Sequence, residues 1–267
     1  MERVEETARR LEEAQAAQNA AYGEATARAN PSGGAGVLRV GGGRAIAMGP
    51  GSPLSQAVGL LEALSEPDLD RIEEFLGRPT QIELTPFAHP SLAPLLGRRG
   101  YRVAQWQQML ARPLETAFPD PVPGVEVAPL QPGEEEIFAR TVMGAFRDQD
   151  LAPLEDCRGM LPATAMEGNV CVVARIDGEV AGGATVGIGA NRAAILAGAG
   201  VRPQFRGQGV QRALVRKRLE LAREAGCDVA GSSTLPATAS QRNLEKLGFR
   251  ILYPKLVMVR DPEAPAG

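Results

Sequence analysis

The run Gln204-Phe205-Arg206-Gly207-Gln208-Gly209-Val210-Gln211-Arg212 sets two glycines and two arginines where a patterned helix begins. Glycine lets a backbone approach a ligand closely, and the free N–H groups at a helix start lie at the positive end of its dipole. Arg206 and Arg212 add charge-assisted donors. Such a turn suits a diphosphate, although arginine and glycine also meet in many surface loops.

Three further elements must position this turn. Upstream, Ala193 to Val201 reads as a buried strand of small residues whose backbone stays open to an incoming group, closed by Pro203. Downstream, Val210, Leu214, Leu219, Leu221 and Ala222 alternate with Arg212, Arg216, Lys217, Arg218 and Arg223, which predicts a helix stopped at Gly226. A strand at Cys227 to Ala230 and a helical segment ending in Leu247-Gly248-Phe249 follow.

In this order the elements resemble the GCN5-related N-acetyltransferase (GNAT) family, whose signature is Gln/Arg-x-x-Gly-x-Gly/Ala after the fourth strand and Leu-Gly-Phe after the fifth. Gln204, Gly207 and Gly209 fit the first motif, Leu247, Gly248 and Phe249 the second, and the resemblance covers about residues 124 to 260. It implies acetyl-CoA as co-substrate. The backbone of Ala199, Gly200 and Val201 would pair with the pantetheine arm and acetyl carbonyl, and Arg206, Gly207, Gln208, Gly209, Val210, Gln211 and Arg212 would hold the pyrophosphate. Ser240 and Asn243 would lie beside the cofactor arm. The other reading of these residues is an ordinary α/β domain with a tight turn.

Many relatives place a tyrosine four residues before the glycine of Leu-Gly-Phe, where it protonates the departing thiolate; this chain has Leu244. A thiol of pKa about 8.5 leaves tolerably without an acid. The catalytic residue is therefore unassigned. Tyr253, on the strand-like run after Phe249, is a substitute candidate whose alternative is packing.

An internal echo organises the rest. Gly100 and Gly248 are 148 residues apart, as are Arg112 and Arg260, and Leu96 to Val103 matches Leu244 to Ile251. A repeat of this length predicts two tandem domains, each a mixed, mostly antiparallel sheet flanked by helices, α/β (α+β) in class. The boundaries read as 1–113, a Pro-rich linker at 114–123, and 124–267. At the same offset Gln56 and Gly59 fall on Gln204 and Gly207, but Leu61 replaces the second glycine, and a shorter strand-to-helix connection is also possible there. The next helix opens Ser65-Glu66-Pro67-Asp68-Leu69-Asp70, with an N-cap serine and acids where a diphosphate would sit. The first domain is thus expected to be a degenerate, CoA-free copy that shapes the substrate cleft, covers a sheet edge or serves as scaffold. Residues 1–27, with Val4, Leu11 and an alanine-rich face, predict one long packed helix.

In the second half, Val125 to Leu130 is a first strand, Glu134 to Phe146 a helix, and the runs 170–175 and 180–188 flank an Asp177-Gly178 hairpin turn. In this fold Asp148 to Gly168 should line the acceptor site, with Asp150, Glu155 and Asp156 as bases, amine-attracting charges or plain solvated acids. A net charge of −3 with dispersed arginines gives no footprint for nucleic acid, and no signal peptide or apolar run of membrane length appears. Cys157, Cys171 and Cys227 have no metal-ligand spacing and suit a reduced cytoplasm. His89, followed by Pro90, reads as a loop residue, so neither a metal site nor a Ser-His-Asp triad is expected. The resulting expectation is a cytoplasmic N-acyltransferase that passes acetyl from acetyl-CoA to a small-molecule or peptide amine, its oligomeric state open. The alternative is a non-catalytic CoA-binding sensor or interaction protein.

Overall fold

A computed structural model describes residues 2–261, with side chains from residue 4 onward; Met1 of the expected first helix and residues 262–267 of the expected second domain lie outside the described residues. In chain order the elements begin α1 (Glu2–Ala29), β1 (Ala35–Val40), β2 (Gly43–Met48), β3 (Gln56–Val58), α2 (Glu66–Leu76), β4 (Thr80–Leu84), α3 (Leu92–Arg98) and β5 (Arg102–Pro113). They continue β6 (Glu126–Pro129), α4 (Glu135–Phe146), β7 (Asn169–Ile176), β8 (Glu179–Ile188), β9 (Ala193–Val201), α5 (Val210–Glu224), β10 (Val229–Thr234), α6 (Ala239–Lys246) and β11 (Arg250–Arg260). Two compact units result among the described residues, one of 2–110, 233–242 and 250–261, the other of 111–232 and 243–249.

In the first unit the strands run β1-β2-β3-β4-β11-β5. Side chains alternate across this sheet as the pleat requires. Ile46 and Val58 meet Ala16 of α1, whereas Ala45 and Ala57 join Leu69 and Ile72 of α2 and Leu92 and Leu96 of α3. Each face therefore has its own helical cover. The long first helix is present as expected. So is the start of α2, where Ser65 Oγ accepts from the Asp68 N–H and Asp68 accepts from the Ser65 N–H, a closed capping box. Contact assigns β11 to this unit, antiparallel to β4 from Leu256↔Leu84 to Arg260↔Thr80. The sequence-based boundary had counted that strand with the second domain, because chain order does not reveal non-local pairing.

In the second unit the order is β10-β9-β8-β7-β6, antiparallel except for β9 and β10. Cys171 and Val173 of β7 pack on Phe138 and Val142 of α4; Val172 and Ala174, on the other face, pack with Val210 and Leu214 of α5. The Asp177-Gly178 hairpin turn forms with both residues at positive φ, 50° and 80°.

The echo has a conformational meaning. After α3 the Tyr101 N–H donates to the Leu96 carbonyl and the Gly100 N–H to Gly97; after α6 the Phe249 N–H donates to Leu244 and the Gly248 N–H to Glu245. Both glycines are left-handed, at φ 77° and 87°, so the same helix stop launches a long strand twice. The offset of 148 does not extend to the turns before α2 and α5. Gln56 lies in strand β3 and Gln204 in the 3-10 turn Pro203–Phe205, because α2 has 11 residues and α5 has 15.

Candidate acyl-CoA site

The glycine turn lies wholly in the second unit. Gly207 and Gly209 have φ of 80° and 82°, and left-handed Gly209 is the N-cap of α5. Glycine carries no side chain to cap a helix, and none is supplied from elsewhere: α5 opens with no side-chain hydrogen bond at its N-terminus. The amides of Val210, Gln211 and Arg212 thus meet no capping side chain, whereas the start of α2 is closed by Ser65 and Asp68. A Cβ on Gly207 would meet nothing within 4 Å, while one on Gly209 would run into Val122 at 2.7 Å. Gly207 leaves room for a ligand, and Gly209 also makes room for the chain segment before β6.

The arginines differ. Arg212 is exposed, with no ion pair or side-chain hydrogen bond among the described residues. Arg206 pairs with Asp148 and reaches the carbonyls of Val201 and Ala145 at 3.4 Å. Gln208 donates to the Gln204 carbonyl at 3.1 Å, which closes the turn on itself.

Strand β9 carries a bulge. Gly183 pairs with Gly200 and Thr185 with Ala197, so Gly198 and Ala199 together oppose Ala184, with Gly198 at φ 55°. The ladder to β10 covers only Ala193 to Ile195. Beyond it, the edge of β9 through Ala199, Gly200 and Val201 has a ladder on the β8 side alone among the described residues of this unit. The smallness of Gly200 has a packing cause as well. A Cβ there would strike Ala145 Cβ at 2.7 Å and the Val142 backbone at 3.1 Å, so the glycine lets α4 lie against the sheet.

Among the candidate acids, Asp150 takes Arg202 in a two-point grip, Oδ1 to Nε at 2.7 Å and Oδ2 to Nη2 at 2.9 Å, which holds its carboxyl below the usual range. Asp156 is paired with Arg147. Glu155 is exposed. Ser240 and Asn243 stand exposed three residues apart on α6, Ser240 counted with the first unit and Asn243 with the second. Leu244 beside them is buried at 4% exposure and packs as core.

Tyr253 sits in the first unit, with the glycine turn in the second. Its hydroxyl donates to Glu12, inside a buried cluster in which Lys255 Nζ meets Glu83 Oε2 at 2.7 Å, Gln15 Oε1 at 2.9 Å and Glu12 Oε1 at 3.5 Å. Burial first, then Glu12, raises the phenol pKa.

Residues 135–249 match the family model described as Acetyltransferase (GNAT) family. The chain carries a GNAT acetyltransferase domain. Family members in general are acyl-CoA-dependent N-acetyltransferases. Among solved structures, a GCN5-related N-acetyltransferase from Kribbella flavida superposes with a TM-score of 0.62 at 20% identity, over 91% of this chain and 96% of that one. A tandem GNAT protein from the clavulanic acid biosynthesis pathway gives 0.58 at 18% identity, over 86% and 82%. A GCN5-related N-acetyltransferase from Sphaerobacter thermophilus gives 0.53 at 16%, over 72% and 66%. At these identities the likeness concerns the fold, which extends through the N-terminal unit. A comparison with curated protein sequences finds no match.

One residue of the site escaped the sequence pattern. Arg218, grouped by its charge with Arg212, Arg216, Lys217 and Arg223, stands four residues after Leu214 and eight after Val210, on the buried face of α5, and is 2% exposed. No described helix is long and apolar enough to cross a membrane, and no group of three or more His, Cys, Asp or Glu among the described residues is placed to hold a metal.

Proposed function

We propose that the second unit binds acetyl-CoA and transfers its acetyl group to a primary amine of a small molecule or peptide. The observation that carries this reading is the contrast between the two helix starts: α5 opens uncapped onto a roomy left-handed Gly207, whereas α2 is closed by its own serine and aspartate. Amides from Gly207 to Arg212 take the pyrophosphate, with Arg212 as an additional donor. The open edge of β9 at Ala199, Gly200 and Val201 takes the pantetheine arm and the thioester carbonyl, and Asn243 of the same unit flanks the arm.

The chain's own groups then contribute orientation and polarisation. Amide donors on β9 stabilise charge on the carbonyl oxygen as the amine adds, and holding the amine against the thioester removes much of the entropic barrier. The thiolate departs without a tyrosine at position 244. Arg206, drawn to Asp148 in this structure, turns to the diphosphate when it binds.

The test separates the charge of the cradle from its shape. Gly207→Asp puts a carboxylate where phosphate sits, and Gly207→Asn puts its neutral isostere there; both residues tolerate left-handed backbone. Acetyl-CoA at a hundred times its Kd stabilises the parent by about 2.7 kcal/mol. That thermal shift vanishes in Gly207→Asp and is partly retained in Gly207→Asn. A full shift in a folded Gly207→Asp protein would place the diphosphate elsewhere.

The absence of the usual acid favours a second reading, a CoA sensor that binds without turnover. CoA binding measured beside acetyl transfer to a panel of amines tells the two apart: the sensor binds and releases no thiol.

A further inference from the structure

Arg218 is a buried cation without a counter-ion. Its exposure is 2%, no carboxylate pairs with it among the described residues, and burial alone pulls its pKa down to about 9, which leaves it charged at neutral pH. Uncompensated buried charge is costly, so its partners are informative. Nε donates to the Leu214 carbonyl one turn back at 3.1 Å, and Nη1 donates to the carbonyls of Thr185 at 3.2 Å and Ala197 at 3.3 Å. Thr185 Oγ1 donates to that same Ala197 oxygen at 3.1 Å. Two donors thus converge on the carbonyl that enters the β9 bulge at Gly198.

The other side of that peptide faces the opposite way. In a trans peptide the N–H of Gly198 points away from the Ala197 carbonyl, toward the edge of β9 that the β10 ladder has left. A cation on the carbonyl draws electron density through the peptide resonance and makes the N–H a better donor. Arg218 also lies on the same helix as the glycine turn, eight residues after Val210, which is about 12 Å at the helical rise. One rigid element is therefore in contact with both places to which the acetyl-CoA reading assigns the extended co-substrate.

We propose that Arg218 is a positioning residue for acetyl transfer: by gripping the Ala197 and Thr185 carbonyls it holds the β9 bulge in register and strengthens the Gly198 amide, which joins the Ala199–Val201 edge in polarising the thioester carbonyl. This inference rests on the acetyl-CoA reading of the second unit. Arg218 itself touches neither substrate nor reacting atoms.

The experiment compares the affinities of acetyl-CoA and CoA by calorimetry in the full chain, for the parent, Arg218→Met, Arg218→Lys and Thr185→Val. It also records the carbonyl stretch of bound 13C-acetyl-CoA by isotope-edited infrared difference spectroscopy. Arg218→Met keeps CoA affinity within about threefold and loses roughly tenfold in preference for acetyl-CoA, less than the 10²–10³ that deleting a direct oxyanion donor costs. The stretch moves to higher frequency as polarisation is lost, and Arg218→Lys falls between Met and the parent. Should Arg218→Met fail to fold, Thr185→Val removes the second donor to the same oxygen with little change of shape, and a loss of roughly two- to threefold in preference with the same direction of spectral shift is expected. A merely structural arginine lowers the melting temperature but moves neither the preference nor the stretch. Folded variants with the parental ratio and an unmoved carbonyl band overturn the proposal. A parent protein that binds neither nucleotide overturns the acetyl-CoA reading itself, and this inference with it, before any variant is compared.

Discussion

Lys255→Met should be among the most damaging single substitutions in the first unit. Lys255 has a fully buried side chain and is the cation of a cluster holding two carboxylates, Glu83 at 2.7 Å and Glu12 at 3.5 Å, both at most 2% exposed. Burial pulls the lysine pKa down, but the two carboxylates outweigh this and hold it above its ordinary value. Methionine fills nearly the same volume and removes the charge. Glu83 then keeps Gln15 Nε2, at 3.2 Å, and Glu12 keeps the Tyr253 hydroxyl, while Glu12 Oε2 is already buried without a partner. Breaking a buried pair on one side costs about 3–5 kcal/mol. Neutralising the acids as well, in Lys255→Met with Glu12→Gln and Glu83→Gln, should recover most of that loss, because the penalty lies in the orphaned charges and not in the missing bonds.

The pH dependence carries a definite sign. Burial already raises Glu12 above its ordinary 4.5, and loss of the lysine raises it further. A folded-state pKa above the unfolded one means that the native state binds more protons, so this contribution to stability is full below about 4.5 and is lost as pH rises through the folded value. Lys255→Met should therefore be least destabilised below about pH 4.5 and increasingly destabilised as pH rises through the folded-state pKa of Glu12. Chemical denaturation at several pH values, followed by Trp106, a residue of the first unit and the only tryptophan, reads this directly. A single variant within about 1 kcal/mol of the parent at pH 8 would refute the reasoning, as would a triple variant no better than the single.

Two further outcomes bear on the site. Calorimetry should find one CoA per chain, because the capping box and the acids of α2 occupy the position that α5 leaves open; two equivalent sites would reject the degenerate-copy reading. Tyr253→Phe should cost about 1–3 kcal/mol by stripping the Glu12 carboxyl of a donor while acetyl transfer persists, whereas a hundredfold loss of turnover in a folded variant would make Tyr253 the proton donor to the thiolate.

Local chemistry was legible in the sequence, and long-range chemistry was not. The capping box at Ser65, the Asp177-Gly178 turn and the twin helix stops at Gly100 and Gly248 each depend on a handful of neighbouring residues, and each forms where the pattern places it. The uncapped start of α5 was equally readable, since glycine cannot cap with a side chain. Arg218 was hidden by its charge: its spacing from Val210 and Leu214 sets it on the buried face of α5, and the carbonyls that accept from it, on α5 itself, β8 and β9, come together only in the fold. Glu12 and Lys255 give no local signal of their pairing, because they lie 243 residues apart in the chain. The small residues of β9 stand out in the sequence, but that Gly200 must also make room for α4 depends on a packing contact that no local pattern shows.

The membership of β11 in the first unit affects how the protein is made. Strand β4, which carries Glu83, leaves the ribosome long before the strand that pairs with it and brings Lys255; all of residues 111–232 is synthesised in between. A nascent N-terminal half therefore carries an unpaired strand edge and two carboxylates still lacking their cation, a state in which it neither closes nor resists association. The order of maturation runs against the order of synthesis: the second unit can settle first, and the first is completed afterwards. Cutting the gene at the Pro-rich segment would leave the first unit in that incomplete condition permanently.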